Sequence, residues 1–119
     1  MYAELQFMVD SYSYGIICAR PEIEQKFDFY AESTNGIKKV QVKCTQRKNR
    51  KDTYKFNLSY GSRLKEYYSS DEVDLFALYA MPIKTWWIIP INMVEKRKTL
   101  RLNPLLENYK QFINKFELI

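Results

Sequence analysis

Histidine is missing altogether from the 119 residues, and that absence excludes the most, because imidazole is the side chain that titrates near neutral pH. Histidine-based acid/base catalysis, triads that depend on an imidazole and His-containing zinc sites all go with it. Only two cysteines are present, Cys18 and Cys44, with no Cys-x-x-Cys pair. Both fall in apolar, strand-like runs and are expected as core thiols in a reducing compartment. No apolar run approaches a membrane span, Trp86 to Ile91 being far too short, and no charged-then-apolar leader opens the chain. The expectation is an intracellular, cytoplasmic protein with no membrane partner. Repeats, low-complexity tracts and inter-domain linkers are absent as well, so the length sets a single domain, residues 1–119.

What is there is a packed, aromatic chain with an uneven charge. Hydrophobic residues make up 46% and aromatic residues 16%, a composition that excludes a disordered tail. The ten tyrosines suit half-buried strands and interfaces, and also base stacking. The net charge is +5, and between Lys43 and Lys65 eight basic residues stand against Asp52 alone. That segment (Lys43, Arg47, Lys48, Arg50, Lys51, Lys55, Arg63 and Lys65) is either a solvated basic loop or the footprint of a polyanion whose phosphates it neutralises. Lys96, Arg97, Lys98 and Arg101 form a second basic group.

The periodicity predicts a helix over residues 3–14, with Leu5, Met8, Val9 and Tyr12 as its apolar stripe and Gly15 as its stop. Glu4, on the edge of that stripe, either leans over the core or is an ordinary first-turn glutamate favoured by the helix dipole. Strands are expected over residues 16–19, 26–32, 37–45, 54–58, 75–80, 85–91 and 100–102. The continuous run Leu75–Ala80 reads as a central strand covered on both faces, with Asp74 as its leading cap. A short helix is expected over 92–98, and Leu106–Leu118, with Tyr109, Phe112, Ile113 and Phe116 at helical spacing, as a C-terminal helix.

The organising stretch is Gly36-Ile37-Lys38-Lys39-Val40-Gln41-Val42-Lys43-Cys44-Thr45. Alternation puts Val40, Val42 and Cys44 on one face and Gln41, Lys43 and Thr45 on the other. The Asn35-Gly36 turn pairs it antiparallel with the strand carrying Asp28. With Asn35 and Gly36 as the loop, Asp28 faces Lys43 and Tyr30 faces Gln41, so Asp28, Gln41 and Lys43 share a face. A cross-strand ion pair with a polar neighbour would look the same.

Taken in order, a helix with Glu4, a strand with Asp28, a hairpin turn, Val40-Gln41-Val42-Lys43, a basic hairpin and the paired strands Val73-Asp74-Leu75-Phe76-Ala77 and Trp87-Ile88-Ile89-Pro90-Ile91 resemble the PD-(D/E)XK nuclease superfamily. More narrowly, the chain is similar to the Gln-x-Lys branch, which includes a cyanobacterial group I intron homing endonuclease. The resemblance runs from Glu4 to about Leu102. It departs where Phe27, not proline, precedes Asp28.

The resemblance implies an α/β, restriction-endonuclease-like fold: an N-terminal helix on a mixed central sheet, with a C-terminal helix. It also implies a Mg²⁺-dependent DNA endonuclease, with Mn²⁺ as a substitute, that hydrolyses phosphodiester bonds. Glu4, Asp28, Gln41 and Lys43 would be catalytic. Asp28, Gln41, Glu4 and the Val42 carbonyl would offer the hard oxygen donors the ion needs, and Lys43 would hold the attacking water or a phosphate oxygen. Arg47, Lys48, Arg50, Lys51, Lys55, Arg63 and Lys65 would contact double-stranded or branched DNA. So small a protomer is expected to act as a homodimer or homotetramer, with Phe112, Phe116 and Trp86-Trp87 as interface anchors. The same fold also suits a structure-selective nuclease of the Holliday-junction resolvase kind. A site with two carboxylates and a glutamine suits an inactive DNA-binding module too.

Overall fold

The computed structural model describes residues 2–60, 66–94 and 96–119. The chain opens with helix α1 (Tyr2–Ser13), closed by Gly15 at φ +77, whose N–H donates to the Tyr12 carbonyl at 2.9 Å. The buried stripe of α1 is Ala3, Phe7 and Ser11, not the stripe expected from hydrophobicity. Leu5, Val9 and Tyr12 are 52%, 66% and 74% exposed, and only Met8 packs against the core. Close approach decides the face. Ala3 and Ser11 are small enough to let the helix lie on the sheet, while Phe7 inserts between Phe29 and Trp86 at ring distances of 5.6 and 5.4 Å.

Three strands follow: β1 (Ile17–Ala19), β2 (Phe29–Ser33) and β3 (Gly36–Thr45). The β2–β3 hairpin forms as expected, but its register is displaced by two residues. Ser33 faces Gly36, Tyr30 faces Lys39 and Phe29 faces Val40, so the loop residues are Thr34 and Asn35. The reason lies in the turn. A loop of Asn35 and Gly36 would need positive φ at both, whereas Gly36 alone takes it, at +105, and the Asn35 N–H is held by Ser33 Oγ at 3.0 Å. Displacement by two keeps every side chain on its expected face.

The excursion after β3 carries β4 (Tyr54–Asn57), β5 (Ser59–Tyr60) and β6 (Glu66–Tyr67), and the chain then returns through β7 (Leu75–Ala80), β8 (Thr85–Pro90) and β9 (Thr99–Leu102). The main sheet has the order β1-β2-β3-β7-β8. Its β3–β7 pair is parallel and the others are antiparallel. Every residue of β7 is buried, as a central strand requires. One core lies under α1, where Phe29, Val40, Val42, Ala77 and Ile88 meet Phe7. The other lies beneath the β4–β9 pair, where Phe76, Leu78, Trp87 and Ile89 meet Tyr54, Phe56, Leu100 and Leu102.

Three expectations are corrected. The C-terminal helix is replaced by turns with two short 3-10 segments, Lys110–Phe112 and Phe116–Leu118, because Tyr109 and Asn114 take φ of 62 and 51. Asn114 instead ties the segment to β8, accepting the Trp86 N–H through Oδ1 at 3.0 Å and donating its own N–H to the Trp86 carbonyl at 2.8 Å. The helix expected over 92–98 is likewise only a 3-10 turn, Ile91–Met93. Phe112, Phe116, Trp86 and Trp87 are core residues, all less than 9% exposed, so they are not surface anchors for a partner. Val40 and Val42 enter the core, but Cys44, next on that face, is exposed and Cys18 half-buried. Burial pushes the Cys18 thiol above its ordinary value.

Candidate active site

Asp28 sits where β2 begins, and its two backbone-level contacts explain why a cleft opens there. Its N–H donates to the Val40 carbonyl at 2.9 Å. Beyond this point β2 no longer accompanies β3, so the next donor on that edge, the Val42 N–H, lacks a β2 carbonyl. The Asp28 Oδ2 takes it at 2.8 Å. A carboxylate thus completes the ladder where the strands part. On the opposite edge of β3, Asp74 Oδ2 accepts the Lys39 N–H at 2.8 Å, the capping role expected of it.

The register continued one residue past Phe29 and Val40 sets Asp28 level with Gln41, rather than with Lys43. Both line one open cleft of about 810 Å³, together with Glu24, Lys26, Tyr60, Tyr68 and Glu72. Gln41 is half-buried, and its Nε2 lies 3.4 Å from the Val42 carbonyl. Burial raises the Asp28 carboxyl above its ordinary value; the Val42 hydrogen bond opposes this, the Glu4 charge adds to it, and Lys43 and Arg20 oppose it. One further carboxylate and two cations therefore lie near enough to act on Asp28.

Lys43 connects this cleft to a second. Its Nζ stands 5.4 Å from the centre of the Tyr68 ring, and Lys43 also lines a groove with Thr45, Arg47, Lys55 and Asn57. Glu4 reaches the site from α1 and is held by Arg20, with Nη1 to Oε1 at 2.6 Å. Glu4 is half-buried, and its charge acts on Asp28.

Two residues of the site escape sequence reasoning. Arg20 reads as no more than the end of a strand before Pro21, and nothing local marks it. Tyr68 falls in a stretch to which the sequence assigns no helix or strand, yet it is 7% exposed and packs edge-on against Phe76 and Tyr60 at 5.3 and 5.0 Å. Burial first, and the Asp28 charge second, push its phenol up to about 12, so it stays a neutral hydroxyl.

Arg47, Lys48, Arg50, Lys51 and Lys55 are all exposed, with Lys48 paired to Asp52 at 3.2 Å. Arg63 and Lys65 lie outside the described residues. Lys55 stands directly opposite Arg101 in the β4–β9 pair. One member of each basic group, separate in sequence, therefore shares one ribbon face.

A hard divalent cation fits this donor set. The site offers two carboxylates, an amide oxygen and a backbone carbonyl, and Mg²⁺ is commonly held by one or two carboxylates with water completing its shell. Among the described residues no group of three or more Cys, Asp or Glu side chains is placed to hold a metal. Among the described residues, too, no helix is long and apolar enough to cross a membrane.

No curated protein matches the chain in sequence. Among solved structures, it is similar to a bacterial homing endonuclease, I-Ssp6803I, with a TM-score of 0.76 at 12% identity over 98% of this chain and 85% of that one. That likeness establishes the restriction-endonuclease-like, mixed α/β fold. The sequence itself matches the model of the PD-(D/E)XK endonucleases over residues 3–117, and the chain belongs to that family.

Proposed function

We propose that the chain is a Mg²⁺-dependent DNA endonuclease that hydrolyses phosphodiester bonds, with Mn²⁺ able to replace Mg²⁺, and that it acts in the manner of a homing endonuclease. The observation that carries the reading is the join of Asp28 to β3. The carboxylate that receives the Val42 N–H faces the same cleft as Gln41, and it feels the charges of Glu4, Lys43 and Arg20. A bound Mg²⁺ would supply Lewis-acid chemistry, lowering the pKa of a water and neutralising charge on the phosphate.

The chain's own residues do the rest. Asp28, Glu4 and Gln41 present oxygens to the cation, with Asp28 fixed in place by its backbone hydrogen bond. Lys43, at the boundary between the cleft and the basic groove, orients the attacking water or holds a phosphate oxygen. Arg47, Lys48, Arg50 and Lys51 contact phosphates beside the scissile bond, while the β4–β9 ribbon carrying Lys55 and Arg101 has the width that a major groove admits. Protomers of this size pair to cover a duplex site. The exposed face of Leu5, Val9 and Tyr12 on α1 offers apolar area for a homodimer or homotetramer, which sedimentation of wild type against Val9→Glu would reveal.

Incubation with supercoiled, linear and four-way-junction DNA, with and without Mg²⁺, tests the function. Metal-dependent cutting lost in Asp28→Ala and Lys43→Ala supports it, and preference for the junction would favour a resolvase-like role. Unchanged DNA binding without any cutting would leave only a binding module.

A further inference from the structure

The Arg20 guanidinium occupies an oxygen of Glu4, the carboxylate that the proposed reaction assigns to the cation. Its placement is built rather than incidental. Arg20 follows β1 directly, and the β1–β2 register of Ala19 with Tyr30 sets it beside Phe29, over whose ring the guanidinium carbon lies at 4.9 Å. Pro21 restricts the Arg20 backbone to extended conformations, so the side chain starts from a fixed position beside Phe29, the residue after Asp28. The Arg20 and Glu4 side chains are 41% and 26% exposed. A pair this open to water is weak and can exchange partners.

Charge counting says what the exchange is for. Glu4 and Asp28 repel each other, and a cation must separate them. Arg20 meets that need at Glu4. A divalent ion competes for the same oxygen, and a guanidinium displaced from a carboxylate has the geometry to take a phosphate in two parallel hydrogen bonds. The phosphate of a bound DNA strand is the anion brought to this cleft.

Resting on the nuclease reading above, we infer that Arg20 is a further catalytic residue that changes partners: it holds Glu4 in the metal-free protein and moves to the scissile phosphate when metal and DNA are bound. Metal and guanidinium thereby exclude each other at Glu4 until a phosphate arrives to accept the arginine.

Mn²⁺ titration of the DNA-free protein, followed by electron paramagnetic resonance, tests the first half of the exchange. Removing the cation in Arg20→Gln should tighten Mn²⁺ binding about tenfold, since an opposite charge this close competes directly for the carboxylate. Plasmid cleavage at saturating Mn²⁺ tests the second half. There Arg20→Gln should lower kcat by about 10²-fold or more while KM for DNA changes little, with Arg20→Lys recovering part of the rate. A melting curve beside the wild type establishes that each variant is folded, and Arg20→Met serves if Arg20→Gln is not. Weaker or unchanged Mn²⁺ binding in Arg20→Gln would show that Arg20 merely props Glu4, and the inference falls. Unchanged cleavage overturns it equally. A wild type that binds Mn²⁺ and cuts DNA while the variant matches it defeats Arg20 alone, whereas a wild type that neither binds Mn²⁺ nor cuts defeats the nuclease reading and this inference with it.

Discussion

The Asp28 carboxylate accepts the Val42 N–H at 2.8 Å, and this one bond makes a site residue part of the sheet. Its two roles separate by mutation. Asp28→Ala leaves a half-buried N–H without its acceptor and should cost about 1 kcal/mol or more of stability. Asp28→Asn keeps an acceptor oxygen and should stay near wild-type stability. Both should lose cleavage by at least about 100-fold, because the negative oxygen for the cation is gone. Urea denaturation paired with plasmid nicking measures the split. Equal stability of the two variants would show that the hydrogen bond is immaterial, and full activity in Asp28→Asn would remove Asp28 from the chemistry.

The parts of this site legible in sequence are those fixed by local alternation. The faces of Gln41 and Lys43 follow from period two, and so survive a register displaced by two residues. The level of Asp28 does not, because it depends on which turn residue takes positive φ, and Gly36 alone does so. The buried face of α1 is hidden from the sequence for a related reason: counting apolar residues favours Leu5, Val9 and Tyr12, whereas the close approach at Ala3 and Ser11 decides what is buried. The C-terminal segment shows the limit most directly. Its helical spacing is real, but Asn114 bonds to the Trp86 backbone, and satisfying that strand outweighs a marginal helix. Arg20 and Tyr68 join the site through tertiary contact alone.

Tyr68 yields a prediction at alkaline pH. Its phenol is raised from the ordinary 10.0 to about 12, so folding favours the protonated form. The stability this contributes is fully present below the ordinary tyrosine range and is lost as pH rises through about 12. Tyr68→Phe has no such proton to lose. Between these limits the wild type should therefore lose stability relative to Tyr68→Phe, and ultraviolet difference spectra should show one tyrosine titrating last in wild type and absent from the variant. Parallel stability profiles for the two proteins would contradict the buried phenol.

The helix is anchored by a polar bond within the aromatic core. Asp10 Oδ2 accepts the Trp86 indole N–H at 2.8 Å, and Trp86 is 2% exposed. Asp10→Ala strands that buried donor and should destabilise the fold by about 1–3 kcal/mol. Since α1 carries Glu4, the same variant should also reduce cleavage under conditions where it is still folded. Thermal melts and nicking assays below the midpoint check both. A melting point equal to wild type would mean that α1 is held by Phe7 packing alone.

Lys55 and Arg101, facing each other across β4 and β9, should show stability and function moving in opposite directions. Like charges directly opposed in a sheet are unfavourable, so removing one should stabilise the free protein by a few tenths of a kcal/mol, up to about 1 kcal/mol. Two cations held together this way suit a strand of phosphates. Arg101→Ala should therefore weaken DNA binding, and the slope of log affinity against log salt should fall by about one contact's worth. Denaturant melts and binding titrations over a range of salt concentrations provide the two readings. Lower stability would show that Arg101 contributes packing that outweighs the repulsion, and an unchanged salt slope would take the ribbon out of the DNA interface.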